Sequence, residues 1–555
     1  MKIPKVLFAV FISLLLAAEL YLASPLFRIA AASYTSGISG DPFVDSAREL
    51  VRASVPAGNR LFFVSSGDRR EESAEKAVLE AVSWEMLPAP VESGSFYEGR
   101  DADAIFMPSY AEDAGVDLPN AESGFRKAGE AAGRTLWVRD EISTSKRLPL
   151  PVRDEARGLL PFLALVGVTL VGSGFAGMAA AVTAFSLLLF VPVLSGWSPT
   201  GWFVWRTAVF SASFAWFFRN RGRTRPGLQA LLLAVFLFAG MAFLALAHAY
   251  VAPYGLSITG GKAKLWYLAG GLDAALFSDP AWRFFEPAYP PGCATLTLGA
   301  YAAAGGCGDT LTQLLSCLCL ALAAGFTMSR TEGLWRKFWL LGIFAAPVAL
   351  MTASQFYPEP MMLVCLLAGW ERIRDGKGDT TGWLLLGVSG WFKNEGLVFL
   401  FAAWMAWRIV GGSGQARIRD LLLGAVIPVA WQIGCRCYGA HLNGYALPWR
   451  LSAARGGQAL AEIFRQSFFR PWNFAFAYPA ALVVAVYAKI RRAALPRPFT
   501  AACFFAFFSL VAFSLIYACG GEIDLVWHLR TSLPRLLLTP AVLLVWECAR
   551  FEPVA

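Results

Sequence analysis

The feature that most restricts this chain is the recurrence of apolar runs long enough to cross a bilayer as helices. LQALLLAVFLFAGMAFLALAHAY at 228–250 is one of them. A crossing helix needs about 20 such residues, whereas the strands of an outer-membrane barrel alternate over about ten. An α-helical polytopic membrane protein is therefore expected. Charge agrees, since only 16% of the residues are charged and the mean hydropathy is +0.52, against roughly 25% charged residues in soluble domains. The net charge of +9 does not point to nucleic acid. Lys and Arg gather in short connections between apolar runs, as a positive-inside bias predicts, and no nucleic-acid motif accompanies them.

Three regions follow. Residues 1–32 carry Lys2 and Lys5 ahead of VLFAVFISLLLAAELYLA, an N-terminal span running from inside to outside. A cleaved signal peptide is the rival, with AAAS at 30–33 as its small-residue site, but the run is long and contains Glu19. Residues 33–157 are polar and mix strand-like signals at 61–66, 103–109 and 134–140 with a helical pattern at 71–87, so a small extracytoplasmic α/β domain is expected. Residues 158–555 hold thirteen further spans, near 158–173, 176–196, 201–218, 228–251, 308–327, 336–353, 357–371, 381–392, 396–411, 418–436, 473–489, 499–518 and 534–549. That makes about 14 in all. The alternation puts five basic connections on the inside: RNRGRTR (219–225), SRTEGLWRK (329–337), ERIRDGK (371–377), QARIR (415–419) and KIRR (489–492). Both termini are then cytoplasmic, in what reads as a bacterial inner membrane.

The same alternation gathers 252–307, QFYPEP (355–360), FKNEG (392–396), 435–457 and 520–535 on the outer face. These segments are rich in Trp, Tyr, Phe and Pro and place ionisable groups beside the apolar boundary. Aromatic residues there are interface anchors first. Carboxylates gathered with Lys and Arg are harder to explain by solubility. A site for a lipid-linked phosphosugar needs cations for phosphate, flat rings for a sugar, and a carboxylate to take a proton from an acceptor hydroxyl. The outer segments supply all three: Lys262, Lys264, Asp273, Glu286, Tyr289, Glu359, Lys393, Asn394, Glu395, His528, Arg530 and Arg535. The ten cysteines fall mostly within or beside apolar runs, where a thiol behaves as a small hydrophobe. With three histidines in the chain, no metal site and no cofactor are expected, a divalent ion being left open.

KAKLWYLAGG (262–271), DPAWRFFEPAYPPG (279–292), FKNEG (392–396) and HLRTSLPRLLLTP (528–540), in this order and on one side, resemble the GT-C superfamily of integral-membrane glycosyltransferases over residues 158–549. In that superfamily a Tyr-Pro-Pro turn closes the large outer loop, a Lys/Asn-Glu-Gly element interrupts a helix pair, and an Arg-bearing segment precedes the last spans. The resemblance implies a polyprenyl-phosphate sugar donor and a glycan, lipid or protein acceptor outside, within membrane lipid. It also implies an early-loop acid, yet APYGLSITGG ahead of KAKLW has none. The base is then Asp273, ranked first, or Asp279, Glu286, Glu359 or Glu395, or activity has been lost. For Glu395 the plainer role is an ion pair with Lys393 or a cap on the following helix; for Arg535 it is a snorkelling side chain. A transporter or lipid-linked-sugar flippase is the alternative function, and a membrane-anchored scaffold ranks last.

Overall fold

The computed structural model describes residues 46–47, 50–51, 53–55, 61–64, 91–94, 104–108, 125–131, 134–139, 228–247, 255–272, 286–304, 307, 313–374, 379–411, 416–438, 451–490, 494–519 and 525–551. The N-terminal span, the 71–87 helix, the spans at 158–173, 176–196 and 201–218, Asp273 and Asp279 lie outside the described residues.

Residues 61–139 contribute a five-stranded mixed sheet. Its strands are β1 (Leu61–Val64), β2 (Val91–Gly94), β3 (Ala104–Pro108), β4 (Phe125–Ala131) and β5 (Arg134–Arg139), in the order β2-β1-β3-β5-β4. β1 pairs in parallel with β2 and β3, while β5 runs antiparallel to β3 and β4. The three strands expected from the sequence are β1, β3 and β5, the interior of the sheet.

The rest of the described chain is mostly helical. The helices are α1 (Leu228–Ala247), α2 (Lys262–Ala269), α3 (Gly292–Ala304), α4 (Leu314–Ser329), α5 (Leu334–Phe344), α6 (Pro347–Ser354), α7 (Glu359–Arg374) and α8 (Thr380–Phe392). They continue with α9 (Glu395–Gly411), α10 (Ile418–Cys437), α11 (Ala453–Phe464), α12 (Ala477–Ile490), α13 (Arg497–Cys519), α14 (Leu525–Thr531) and α15 (Leu533–Ala549). Among the described residues α1, α10 and α13 are long and apolar enough to cross a membrane, and the pair α5 and α6, bent by 59°, makes a fourth candidate. The bend falls where Pro347 opens α6: its ring fixes φ and removes a backbone donor.

The outer helices carry apolar rows that are exposed among the described residues. Ile418, Leu422, Val426, Val429 and Ile433 are exposed along α10 at helical spacing, as are Phe507, Val511 and Leu515 along α13. Patches of this size suit lipid rather than water. α15 is the reverse, for every one of its residues from Leu533 to Ala549 is buried, which makes it the centre of the bundle. Around it, backbones approach closely at glycines. A Cβ on Gly387 of α8 would lie 1.8 Å from the carbonyl oxygen of Gly424 on α10, and one on Gly369 of α7 would lie 2.7 Å from that of Gly382 on α8.

Polar contacts sort to the two ends of the central helices. At one end Trp370 Nε1 and Arg374 donate to Glu547 (3.0 and 3.1 Å), Arg550 pairs with Glu371 and Arg372 with Asp379. Burial raises the Asp379 carboxyl, but the Arg372 hydrogen bond and charge outweigh it and hold the group below the usual carboxylate range. At the other end Arg535 pairs with Glu359. α7 and α15 thus run parallel, joined at both ends, and Glu359 stands roughly 18 Å from Glu371 at 1.5 Å per residue. Glu371, Arg372 and Arg374 therefore stand at one end of this helix pair, and Glu359 and Arg535 at the other.

Candidate functional site

Four charges from three distant segments meet at the end that holds Glu359. Lys393 Nζ lies 3.0 Å from Glu359 Oε1 and 3.2 Å from Glu395 Oε1, and Arg535 Nη1 lies 3.1 Å from Glu359 Oε1. Glu359 is 1% exposed, Arg535 2% and Lys393 3%. Two carboxylates and two cations make the quartet electroneutral. Glu359 Oε2 and Glu395 Oε2 are both buried and have no hydrogen-bond partner among the described residues.

Local sequence explains each position. In QFYPEP, Phe356 takes a positive φ of 58° and Pro358 then leads into α7, whose first residue is Glu359. Ser316 donates to the Tyr357 carbonyl (3.0 Å), which fixes the turn. Lys393 is the C-cap of α8, and Glu395 begins α9. Carboxylates at two helix N-termini and an ammonium at a C-terminus all agree with the helix dipoles. Arg535, in the first turn of α15, does not; its compensation is Glu359, with the Tyr357 ring 4.1 Å from the guanidinium. It is not a snorkelling side chain.

The tight KNEG turn depends on Gly396. A Cβ there would come within 2.2 Å of the Gly390 nitrogen and 2.3 Å of the Ser389 carbonyl carbon. Ser389 Oγ donates to the Gly396 carbonyl (3.2 Å), stitching α8 to α9. So the charged FKNEG stretch is a connection and part of a buried cluster at once.

The large loop joins through backbone. Lys262 Nζ donates to the carbonyls of Glu286 (3.0 Å), Pro287 (3.4 Å) and Tyr289 (2.8 Å), giving its three hydrogens three acceptors in the EPAYP turn. Desolvation by burial lowers its pKa to about 8. Glu286 adopts φ 41° in that turn, and such backbone strain gathers at functional turns. Trp431 Nε1 donates to the Ala288 carbonyl (3.0 Å), and Gln432 Nε2 donates both to that carbonyl (3.4 Å) and to Asn394 Oδ1 (3.0 Å). KAKL, EPAYP and KNEG are therefore wired together.

Replacing Lys262 with Met is expected to strip the EPAYP turn of its donors and cost about 2–3 kcal/mol. Backbone amide exchange over 286–292 should rise in the variant; unchanged exchange would show that the turn holds itself.

Of the residues singled out from sequence, Glu359, Lys393, Glu395 and Arg535 form the quartet, and Lys262, Glu286, Tyr289 and Asn394 form the adjoining network. Lys264 is half-buried and Arg530 exposed, and neither belongs to the contacts above. His528 lies within α14. Sequence reasoning missed Tyr357, Ser532, Trp431 and Gln432. The one signal for the last two was a Trp-Gln pair near the outer end of an otherwise apolar span. All ten cysteines are free thiols. No protein-family model, curated protein or solved structure matches the chain.

Proposed function

We propose that the chain is an integral-membrane glycosyltransferase of GT-C type, moving a sugar from a polyprenyl-phosphate donor to an extracytoplasmic acceptor with inversion. The supporting observation is the convergence of 357–359, 393–395 and 532–535 on one buried charge cluster beside the Lys262-held turn. Buried ionisable groups in a membrane bundle are expensive and mark working sites. In this reading the cluster end faces outward, the chain crosses about 14 times with both termini inside, and the membrane is the bacterial inner membrane.

Glu395 is the base among the described residues in this reading, because one cation holds its carboxylate whereas two hold that of Glu359. Asp273 remains the rival for that role. The acceptor hydroxyl attacks the anomeric carbon, its proton passes to the carboxylate, and the C–O bond to phosphate breaks with the electron pair leaving on phosphate. Lys393 and Arg535 hold the carboxylates, and in this reading Lys264 and Arg530, in the same outer segments, meet the phosphate charge.

The test is binding of polyprenyl phosphate to purified protein in nanodiscs. Wild type should saturate, and Lys264→Ala/Arg530→Ala should weaken binding at least about tenfold, the scale of one or two charge-assisted contacts. A folded wild type that binds nothing removes this reading. It would favour a transporter, which the bent α5–α6 pair and the α8–α9 break suit. Against transport, the ionisable groups of α7 and α15 lie in their first and last turns rather than midway.

A further inference from the structure

The quartet leaves one kind of group unsatisfied. Lys393 has two carboxylate partners, and the Arg535 guanidinium meets Glu359, Ser532 Oγ at 3.4 Å and the Tyr357 ring. What lacks a partner among the described residues is Glu359 Oε2 and Glu395 Oε2, two acceptors whose carboxylates are bridged by a single ammonium. A buried acceptor without a donor costs about 1–3 kcal/mol, so a ligand that brings donors gains that much on entry.

Charge decides which donors. Phosphate at neutral pH presents negative oxygens, which would repel two carboxylates. A further cation, metal or ammonium, would enter beside Lys393 and Arg535 and leave the buried cluster with net positive charge. Neutral hydroxyl groups satisfy the acceptors and leave the cluster electroneutral. Aromatic rings belong to the same segments: Tyr357 lies on Arg535, and Trp391, two residues before Lys393, meets Trp431 edge to face with centroids 6.0 Å apart.

We propose that Glu359 and Glu395 form an acceptor subsite for the hydroxyl groups of the transferred sugar, distinct from the phosphate contacts. This rests on the glycosyltransferase reading above and adds to it which moiety the buried carboxylates recognise. Glu359 is a positioning residue here, held by two cations, and Glu395 touches the sugar.

The experiment compares four kinds of probe on the full chain in nanodiscs. They are bare polyprenyl phosphate, polyprenyl phosphate carrying glucose, the same carrying mannose or arabinose, and a fully O-methylated version of each glycosylated probe. At least one glycosylated probe should bind about tenfold or more tighter than the bare lipid. O-methylation, which removes donors and keeps the ring, should abolish that gain. Glu395→Gln should shrink the gain and leave bare-lipid affinity unchanged. Equal binding of bare and glycosylated probes by wild type overturns the subsite while the lipid reading stands. So does an O-methylated probe that binds as well as its parent, or a Glu395→Gln loss that falls equally on both. No binding of any probe overturns both.

Discussion

Replacing Arg535 with alanine is expected to destabilise the bundle by about 3–5 kcal/mol, the scale for breaking a buried ion pair from one side. Glu359 would keep Lys393 alone, in a site where its side chain is 2% exposed, and the quartet would change from neutral to net negative. The cost should therefore depend on the charge left behind more than on the packing lost. The double variant Arg535→Ala/Glu359→Gln tests this, since the glutamine removes the uncompensated charge. In detergent, followed by tryptophan fluorescence in denaturant, the double variant should recover a clear part of the loss, giving a coupling well above the ~0.5 kcal/mol expected of independent sites. Additive losses would mean that the two groups do not share a site.

The second large effect is steric. Gly387→Ala puts a methyl group 1.8 Å from the Gly424 carbonyl oxygen, which belongs to backbone and cannot swing aside. α8 and α10 would have to separate, and a loss on the order of 3 kcal/mol or more follows, at or beyond the usual range for overpacking. Small residues that let membrane helices touch are of this kind. Gly434→Ala, on the facing helix α10, is the control, because a Cβ there meets nothing within 4 Å. It should be neutral, or stabilising by up to about 1 kcal/mol from helix propensity. If both variants behave alike in yield, monodispersity and unfolding midpoint, the α8–α10 crossing is not as close as described.

Many of the helices from 228 onward were legible because a lipid-facing helix and a buried one both read as long apolar runs. α7, α8, α9, α10, α13 and α15 fall within a few residues of the stretches expected. Most of the helices that were missed are short or of mixed polarity; α3, thirteen uncharged residues within what reads as an outer loop, is neither. α2 carries Lys262 and Lys264, α11 carries Arg455 and Glu462, and α14 has only seven residues. In the sheet, the two strands that escaped notice, β2 and β4, are its edges. VESG and FRKAGEA lack the apolar pattern because edge strands are kept polar and irregular.

The site was legible in its parts and, among its pairings, in the Lys393–Glu395 ion pair and the place of Glu395 at the start of α9, but not in the contacts that Glu359 makes. Glu359, Lys393, Glu395 and Arg535 could be picked out as charges beside apolar boundaries. That Glu359 would be shared between Lys393, 34 residues on, and Arg535, 176 residues on, depends on packing. Lys262 illustrates the limit. Its charge suggested a phosphate ligand, whereas its three hydrogens meet the backbone of one turn. Gln432 carried no charge to draw attention, yet it links Asn394 to the Ala288 carbonyl.

The central claim is that the end of the bundle holding Glu359, Lys393, Glu395 and Arg535 receives a lipid-linked phosphosugar. Photo-crosslinking tests it most directly, using polyprenyl phosphate with a diazirine on the isoprene unit next to the phosphate and full-length protein in nanodiscs. The account predicts label on peptides spanning 262–272, 355–360, 391–396 and 525–535, removed by excess unlabelled polyprenyl phosphate. Label spread over the lipid-facing rows of α1, α10 and α13, unchanged by competitor, would contradict it.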